Sequence, residues 1–282
     1  MATPRTGTLD VPGARIHYEV RGRGPLLVLV HAGAGDAGVF DWIADPLAAH
    51  FTVVAPDRRG HSRSPLDPPG TTPRVDEHSD DIHRLLGELT DEPALVYGSS
   101  SGAVVALDLL ARHPDRIHTV IAHEPPLIGL LPNAADHRQL FAGVQVTLRQ
   151  QGTEAAMRQF LAGVGLEDGT QKLPPLAELP APLRALLERM AANEPFFLEH
   201  ELVPVTAYAP DIDALRTAAD RLLIGIGSDA RRSMPGRASA ALAGQLSLDL
   251  TELPGGHTGY TDNATDFAPR LAELLRGRTL TA

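Results

Sequence analysis

The sequence predicts an α/β fold: a mostly parallel central sheet flanked by helices, with an inserted helical cap. Three observations predict it. Short apolar runs of strand length alternate with helix-patterned segments at both ends of the chain. The residues with chemical potential stand where those runs end. Between them, the pattern turns mainly helical from about Leu127 to Arg216. The core is therefore assigned to residues 1–126 and 217–282, and the cap to 127–216.

Arg15–Val20 alternates in character and reads as a strand leaving a hairpin. Leu26–Val30 and Phe51–Ala55 are short apolar runs, the first ending at His31-Ala32-Gly33-Ala34-Gly35 and the second at Asp57. Ala94–Tyr97 ends at Gly98. Val104–Leu110 has helical spacing and is closed by Pro114. His118–Ala122 is a further strand, ending at His123-Glu124-Pro125-Pro126. Continuous apolar runs of this kind mark strands buried on both faces, as parallel strands are. In the cap, Asp136–Leu148, Glu154–Leu161 and Pro182–Ala192 have helical patterning, punctuated by Pro174, Pro175, Pro180 and Pro182. The α/β pattern resumes with a strand at Arg221–Ile226, another around Leu246–Leu250, and a last helix from Ala264 to Leu275.

Composition removes several classes of function. A chain of 282 residues with 43% hydrophobic content buries a large core. Its net charge of -10 argues against nucleic acid, which needs a concentrated basic face. The short stretch Arg231, Arg232 and Arg237 reads as a solvated helix start. With no cysteine there is no disulfide and no thiolate chemistry. The opening MATPRTGTLDVPG has no apolar signal core, and no run reaches the length of a membrane helix. Residence in the cytoplasm is the expectation, with neither membrane nor nucleic acid as partner. Oligomeric state stays open. No cofactor is called for, and no metal site stands out. Glu199-His200-Glu201 groups ligand types, but neighbours on a helix diverge, so it reads as a solvated face.

Gly98-Ser99-Ser100-Ser101-Gly102 has a serine flanked at two residues either side by glycine, after a strand and before a helix. A sharp turn there lifts the hydroxyl of Ser100 above the sheet, and the helix start supplies N–H groups for developing negative charge. Ser100 is the candidate nucleophile, and the backbone N–H of Ser101 a candidate oxyanion donor. The Gly33 N–H, after the Leu26–Val30 strand, is the second candidate donor. A serine needs a base, and His257 stands in the glycine-flanked loop Pro254-Gly255-Gly256-His257 after the last strand. Nucleophile first and histidine last is the chain order of one known triad arrangement. Two carboxylates at strand ends could orient that histidine: Glu124, followed by Pro125-Pro126, and Asp229 in Gly227-Ser228-Asp229. The residues alone leave the choice open. Asp57-Arg58-Arg59-Gly60-His61 reads as a structural brace of the loops, and His61 as non-catalytic.

At His31-Ala32-Gly33, Asp57-Arg58-Arg59-Gly60, Gly98–Gly102 and Pro254–His257, with the cap insertion, the chain resembles the α/β-hydrolase superfamily across nearly its whole length. More narrowly, Gly98-Ser99-Ser100-Ser101-Gly102-Ala103, His113-Pro114-Asp115-Arg116-Ile117 and His123-Glu124-Pro125 resemble the zearalenone lactonases. The resemblance implies a serine hydrolase whose triad acid is Glu124, with Asp229 in reserve, and supports Gly33 and Ser101 as oxyanion donors. It departs in the cap. The lactonases carry a substrate-contacting tryptophan shortly after an Asn-x-Pro step, where Asn193-Glu194-Pro195-Phe196-Phe197 places Phe197, which has no N–H to donate. Phe196, Phe197 and Leu198 are the candidate apolar wall for a small hydrophobic ester or lactone. A general carboxylesterase, a cofactor-free perhydrolase and a carbon–carbon bond hydrolase fit the same triad. A ligand-binding receptor on this scaffold is the non-enzymatic alternative.

Overall fold

The computed structural model describes residues 3–166 and 174–279. Eight strands form one sheet: β1 (Arg5–Val11), β2 (Ala14–Arg21), β3 (Leu26–Val30), β4 (Thr52–Pro56), β5 (Ala94–Ser99), β6 (Ile117–His123), β7 (Leu222–Gly227) and β8 (Leu250–Leu253). Their spatial order is β1-β2-β4-β3-β5-β6-β7-β8. β1 and β2 form an antiparallel hairpin and β2 runs antiparallel to β4; every other pairing is parallel.

Alternation within each central strand explains why both faces are covered. Val28, Val30, Val54 and Val96 join one buried cluster with α2 (Val75–Leu89) and α3 (Ser101–Arg112). Leu27, Leu29, Val53, Leu95 and Tyr97 join the other, with α1 (Asp41–Leu47) and the terminal helix Ala264–Thr279. Successive side chains point to opposite faces, so an all-apolar run is what a doubly covered strand requires.

Between β6 and β7 the chain passes through α4 (Ala134–Gln151), α5 (Thr153–Val164), α6 (Ala181–Phe196), a π-helical turn (Phe197–Glu201), α7 (Leu202–Thr206) and α8 (Ile212–Thr217). Residues 167–173 of the expected cap, and Met1 and Ala2 of the amino-terminal stretch, lie outside the described residues. Three helices carried no sequence expectation: α1, α2 and a short one at Gly259–Asp262, while α9 at Met234–Leu246 begins within the Arg231–Arg237 stretch read as a helix start. Among the described residues no helix is long and apolar enough to cross a membrane.

The strand expected at Leu246–Leu250 is corrected. Leu246 ends α9, and β8 begins only at Leu250. Ser247 takes a left-handed conformation, with φ 55° and ψ 39°. Its N–H reaches Gly244 O, and the Leu248 N–H reaches Ala243 O at 3.0 Å. This double closure is a Schellman cap, with Leu248 as its hydrophobic contact against the core. The leucines at 246, 248 and 250 mimic strand alternation, but the first two belong to a helix end.

The parallel strands bring their carboxyl ends to one edge. Val30 stands opposite Gly98, Ser99 opposite His123, His123 opposite Gly225, and Gly227 opposite Leu253. The loops that follow carry His31, Asp57, Ser100, Glu124, Asp229 and His257.

Candidate active site

Ser100 joins β5 to α3 with φ 54° and ψ −118°, a conformation that side chains rarely adopt. Its N–H bonds to His123 O at 2.8 Å, and its carbonyl accepts from Ala103 N, so the turn is held from both sides. The flanking glycines are obligatory. A Cβ at Gly98 would lie 2.3 Å from Gly102 O, and one at Gly102 would lie 2.2 Å from Val30 O. Both contacts are with backbone, which has no cheap way to move.

Glu124 leaves β6 with φ 53° and is fully buried. Its Oε1 accepts from Gly227 N–H at 2.8 Å, and its Oε2 lies 2.6 Å from His257 Nδ1. Burial pushes the carboxyl up. The His257 hydrogen bond, the charges of His257 and His123 and the Gly227 N–H outweigh that, so it sits below the usual carboxylate range. Asp229, the alternative partner, is exposed; its Oδ1 accepts from its neighbour Ser228. Glu124 is thus the carboxylate that the fold brings to His257. That pairing leaves Nε2 as the ring nitrogen available to a serine proton.

Ser100, Ser101, Gly33 and His257 line one cavity of about 1140 Å³. Neither the Gly33 nor the Ser101 backbone N–H has a protein acceptor among the described residues. Each is a free donor on a residue that lines the cavity.

The expected apolar wall is corrected in part. Phe197 lines the cavity, and its ring lies where a Cβ on Gly33 would be 2.8 Å away. Phe196 does not line it; its ring packs edge-on against His61 at 5.3 Å, and beside Gly60. Leu198 is fully buried in the core. Three consecutive residues on a helical path cannot share one face. The wall the sequence reading missed comes from α5: Met157, Phe160, Leu161 and Val164 all line the cavity. Their spacing of three, one and three is an amphipathic signal visible in the sequence. Glu194 lines it too, and burial pushes its carboxyl up.

Glu199-His200-Glu201 is a solvated face only in part: Glu199 and His200 are half-buried, but Glu201 departs from it. Glu201 is fully buried and takes a bidentate contact from Arg58, at 2.8 and 3.0 Å. His61 Nε2 and His78 Nε2 lie 3.3 and 3.0 Å from its oxygens. Burial pushes the Glu201 carboxyl up, but Arg58, His61 and His78 hold it well below the usual range. The sequence reading failed because it treated the π-helical turn as an outward helix face. Among the described residues no group of three or more metal-ligating side chains is placed to hold a metal ion.

The chain is 42% identical to YraK, an uncharacterized hydrolase of Bacillus subtilis, over 97% of both chains. A family profile of the alpha/beta hydrolase fold matches residues 25–161. The chain belongs to the α/β-hydrolase superfamily. This hydrolase is also 28% identical to the zearalenone hydrolase of Bionectria ochroleuca, over 95% of its own length and 97% of that protein's. Among solved structures, it is similar to one described with the carboxylesterases of Nitrososphaera gargenis, at a TM-score of 0.73 and 21% identity. That match covers 98% of this hydrolase and all of the other chain.

Proposed function

We propose that this hydrolase cleaves a carboxylic ester or lactone through an acyl-enzyme. The observation that carries the reading is the buried Glu124 carboxylate held 2.6 Å from Nδ1 of His257, a residue that lines the same cavity as Ser100. Ser100 Oγ attacks the carbonyl carbon while its proton passes to His257 Nε2. The oxyanion is held by the Gly33 and Ser101 N–H groups. The acyl C–O bond breaks, and the leaving oxygen takes the proton from His257. Water then attacks the acyl group, giving a proton to His257 that returns to Ser100. Glu124 keeps the ring oriented and stabilises its cationic form.

The substrate we propose is small and hydrophobic. The cavity wall of Met157, Phe160, Leu161, Val164 and Phe197 supports this, as does room for a drug-sized ligand. A zearalenone-type macrolactone is the specific candidate, drawn from the relative that covers nearly the whole chain. A general carboxylesterase or a perhydrolase would use the same residues.

The test is hydrolysis of zearalenone beside a panel of simple aryl esters, with Ser100→Ala as control. Lactone opening faster than ester cleavage supports the macrolactone. Ester cleavage alone leaves a carboxylesterase. A protein that binds these compounds, turns over none and takes no fluorophosphonate at Ser100 is a receptor, and the proposal is wrong.

A further inference from the structure

A second buried charged cluster lies beside the site, and the proposed reaction does not use it. The Arg58 and Glu201 side chains are 1% and 0% exposed. Burying an ion pair costs free energy that the pair's own attraction seldom exceeds, so the arrangement calls for a reason other than stability.

The reason lies in what else Arg58 holds. Its Nε donates to His31 O at 3.2 Å and its Nη2 to Gly33 O at 3.1 Å. Its backbone N–H donates to His31 Nε2 at 2.9 Å. That nitrogen is therefore the acceptor, so the proton sits on Nδ1, which donates to Ala32 O at 2.7 Å. Ala32 C=O and Gly33 N–H belong to one trans peptide plane and point in opposite directions. Anchoring that carbonyl aims the N–H. The Ala32 carbonyl is thus fixed through His31 by the Arg58 backbone, and the His31 and Gly33 carbonyls on either side of it by the Arg58 side chain.

Arg58 is in turn fixed by Glu201, which comes from the helical segment between β6 and β7. The same segment grips the loop twice more. Asn193 Nδ2 donates to Ala34 O and Gly35 O, each at 3.1 Å, and Arg189 pairs with the buried Asp36.

We infer that Arg58, clamped by Glu201, is a positioning residue that aims the Gly33 N–H at the oxyanion, so that the helical segment sets the electrophilic half of the site. This rests on Ser100 as nucleophile and Gly33 as donor.

The test uses the full chain, with active sites counted by fluorophosphonate labelling. The variants are Glu201→Gln, Arg58→Lys, and the double variant Arg58→Met with Glu201→Met. An apolar pair of similar volume often replaces a buried ion pair without loss of stability. It satisfies packing but supplies no donor to the His31 and Gly33 carbonyls. Two quantities are read: kcat and KM for an aryl ester, and Ki for a trifluoromethyl ketone, which forms an oxyanion on addition.

Outright loss of one oxyanion donor costs about 10²–10³ in kcat, so misaiming it is expected to cost roughly 10–100-fold per labelled site. KM is expected to hold within about threefold, and the ketone Ki to rise in step with the loss in kcat. A double variant that keeps the parent's melting temperature and its kcat per site overturns the inference. So does a loss confined to KM, or to the number of labelled sites, with Ki unchanged. If the double variant does not fold, Glu201→Gln and Arg58→Lys decide by the same readouts. A parent chain that takes no label at Ser100 refutes the serine-hydrolase reading itself. A labelled parent with unaffected variants refutes only the role of Arg58.

Discussion

Replacing Glu124 by glutamine tests the charge at the base of the site while leaving its shape. Gly227 N–H donates to Glu124 Oε1 at 2.8 Å, and His257 Nδ1 faces Oε2 at 2.6 Å. In the variant the amide oxygen must stay on the Gly227 side, because two N–H groups cannot face each other. Its NH₂ then points at His257 Nδ1 and demands an acceptor there. The ring proton moves to Nε2, the nitrogen that has to accept from Ser100. A wrong tautomer of this kind costs about 10⁴ in kcat, or about 5 kcal/mol at 1.36 kcal/mol per tenfold. The assay is aryl ester hydrolysis with labelled sites as denominator, run beside Asp229→Asn. Its side chain exposed and accepting from Ser228 rather than from His257, Asp229 is expected to change kcat by less than about twofold. The reasoning is refuted if Glu124→Gln loses less than tenfold, or if Asp229→Asn loses more than Glu124→Gln.

Gly102→Ala forces a Cβ to 2.2 Å from Val30 O, and is expected to cost about 3 kcal/mol or more, read as a large drop in melting temperature. Phe197→Trp adds an N–H donor at the cavity wall, so kcat/KM for zearalenone should rise relative to simple esters; no change would place the recognition elsewhere. Phe196→Ala should cost about 2 kcal/mol of stability in urea titration yet leave KM for small esters unchanged, because its ring packs on His61 and Gly60 rather than in the cavity. Burial pushes His78 and His123 down to about 4, below their unfolded values, so the unfolded chain binds protons first as pH falls. Stability from their neutral burial is therefore full above roughly pH 6.5 and drains toward pH 4. The urea midpoint should be level from pH 8 to 7 and lower at 5.5 and 4.5; a midpoint that rises on acidification contradicts the sign.

Much of the architecture was legible because parallel strands buried on both faces must be apolar throughout, as Leu26–Val30 and Ala94–Tyr97 are. The Ser100 turn was legible for a similar reason: only glycine fits at 98 and 102, so the backbone constraint is written in residue identity. The leucines of 246–250 misled because the buried last residue of α9, Leu246, the apolar residue after the cap, Leu248, and the first residue of β8, Leu250, fall two apart by coincidence and so copy strand alternation. Phe196 and Leu198 were grouped with Phe197 because adjacency in sequence says nothing about direction on a helix. The α5 wall at Met157, Phe160, Leu161 and Val164 was present as a periodic pattern. Periodicity reports that a face is buried, not whether it meets protein or a cavity.

By itself, then, the sequence determined most of the buried strands, the helical character of the segment between β6 and β7, the serine turn and the loop that carries His257. Each depends on backbone or burial requirements that act within a few residues. The tertiary structure decided which carboxylate meets His257, which phenylalanine faces the cavity, and that Glu201 is buried against Arg58. Glu124 and His257 are 133 positions apart, and Arg58 and Glu201 are 143 apart. Contacts at that range arise only once the sheet has aligned its strand ends and the helical segment has folded back over them. No local pattern in a single chain encodes which of several equivalent charges will be brought together.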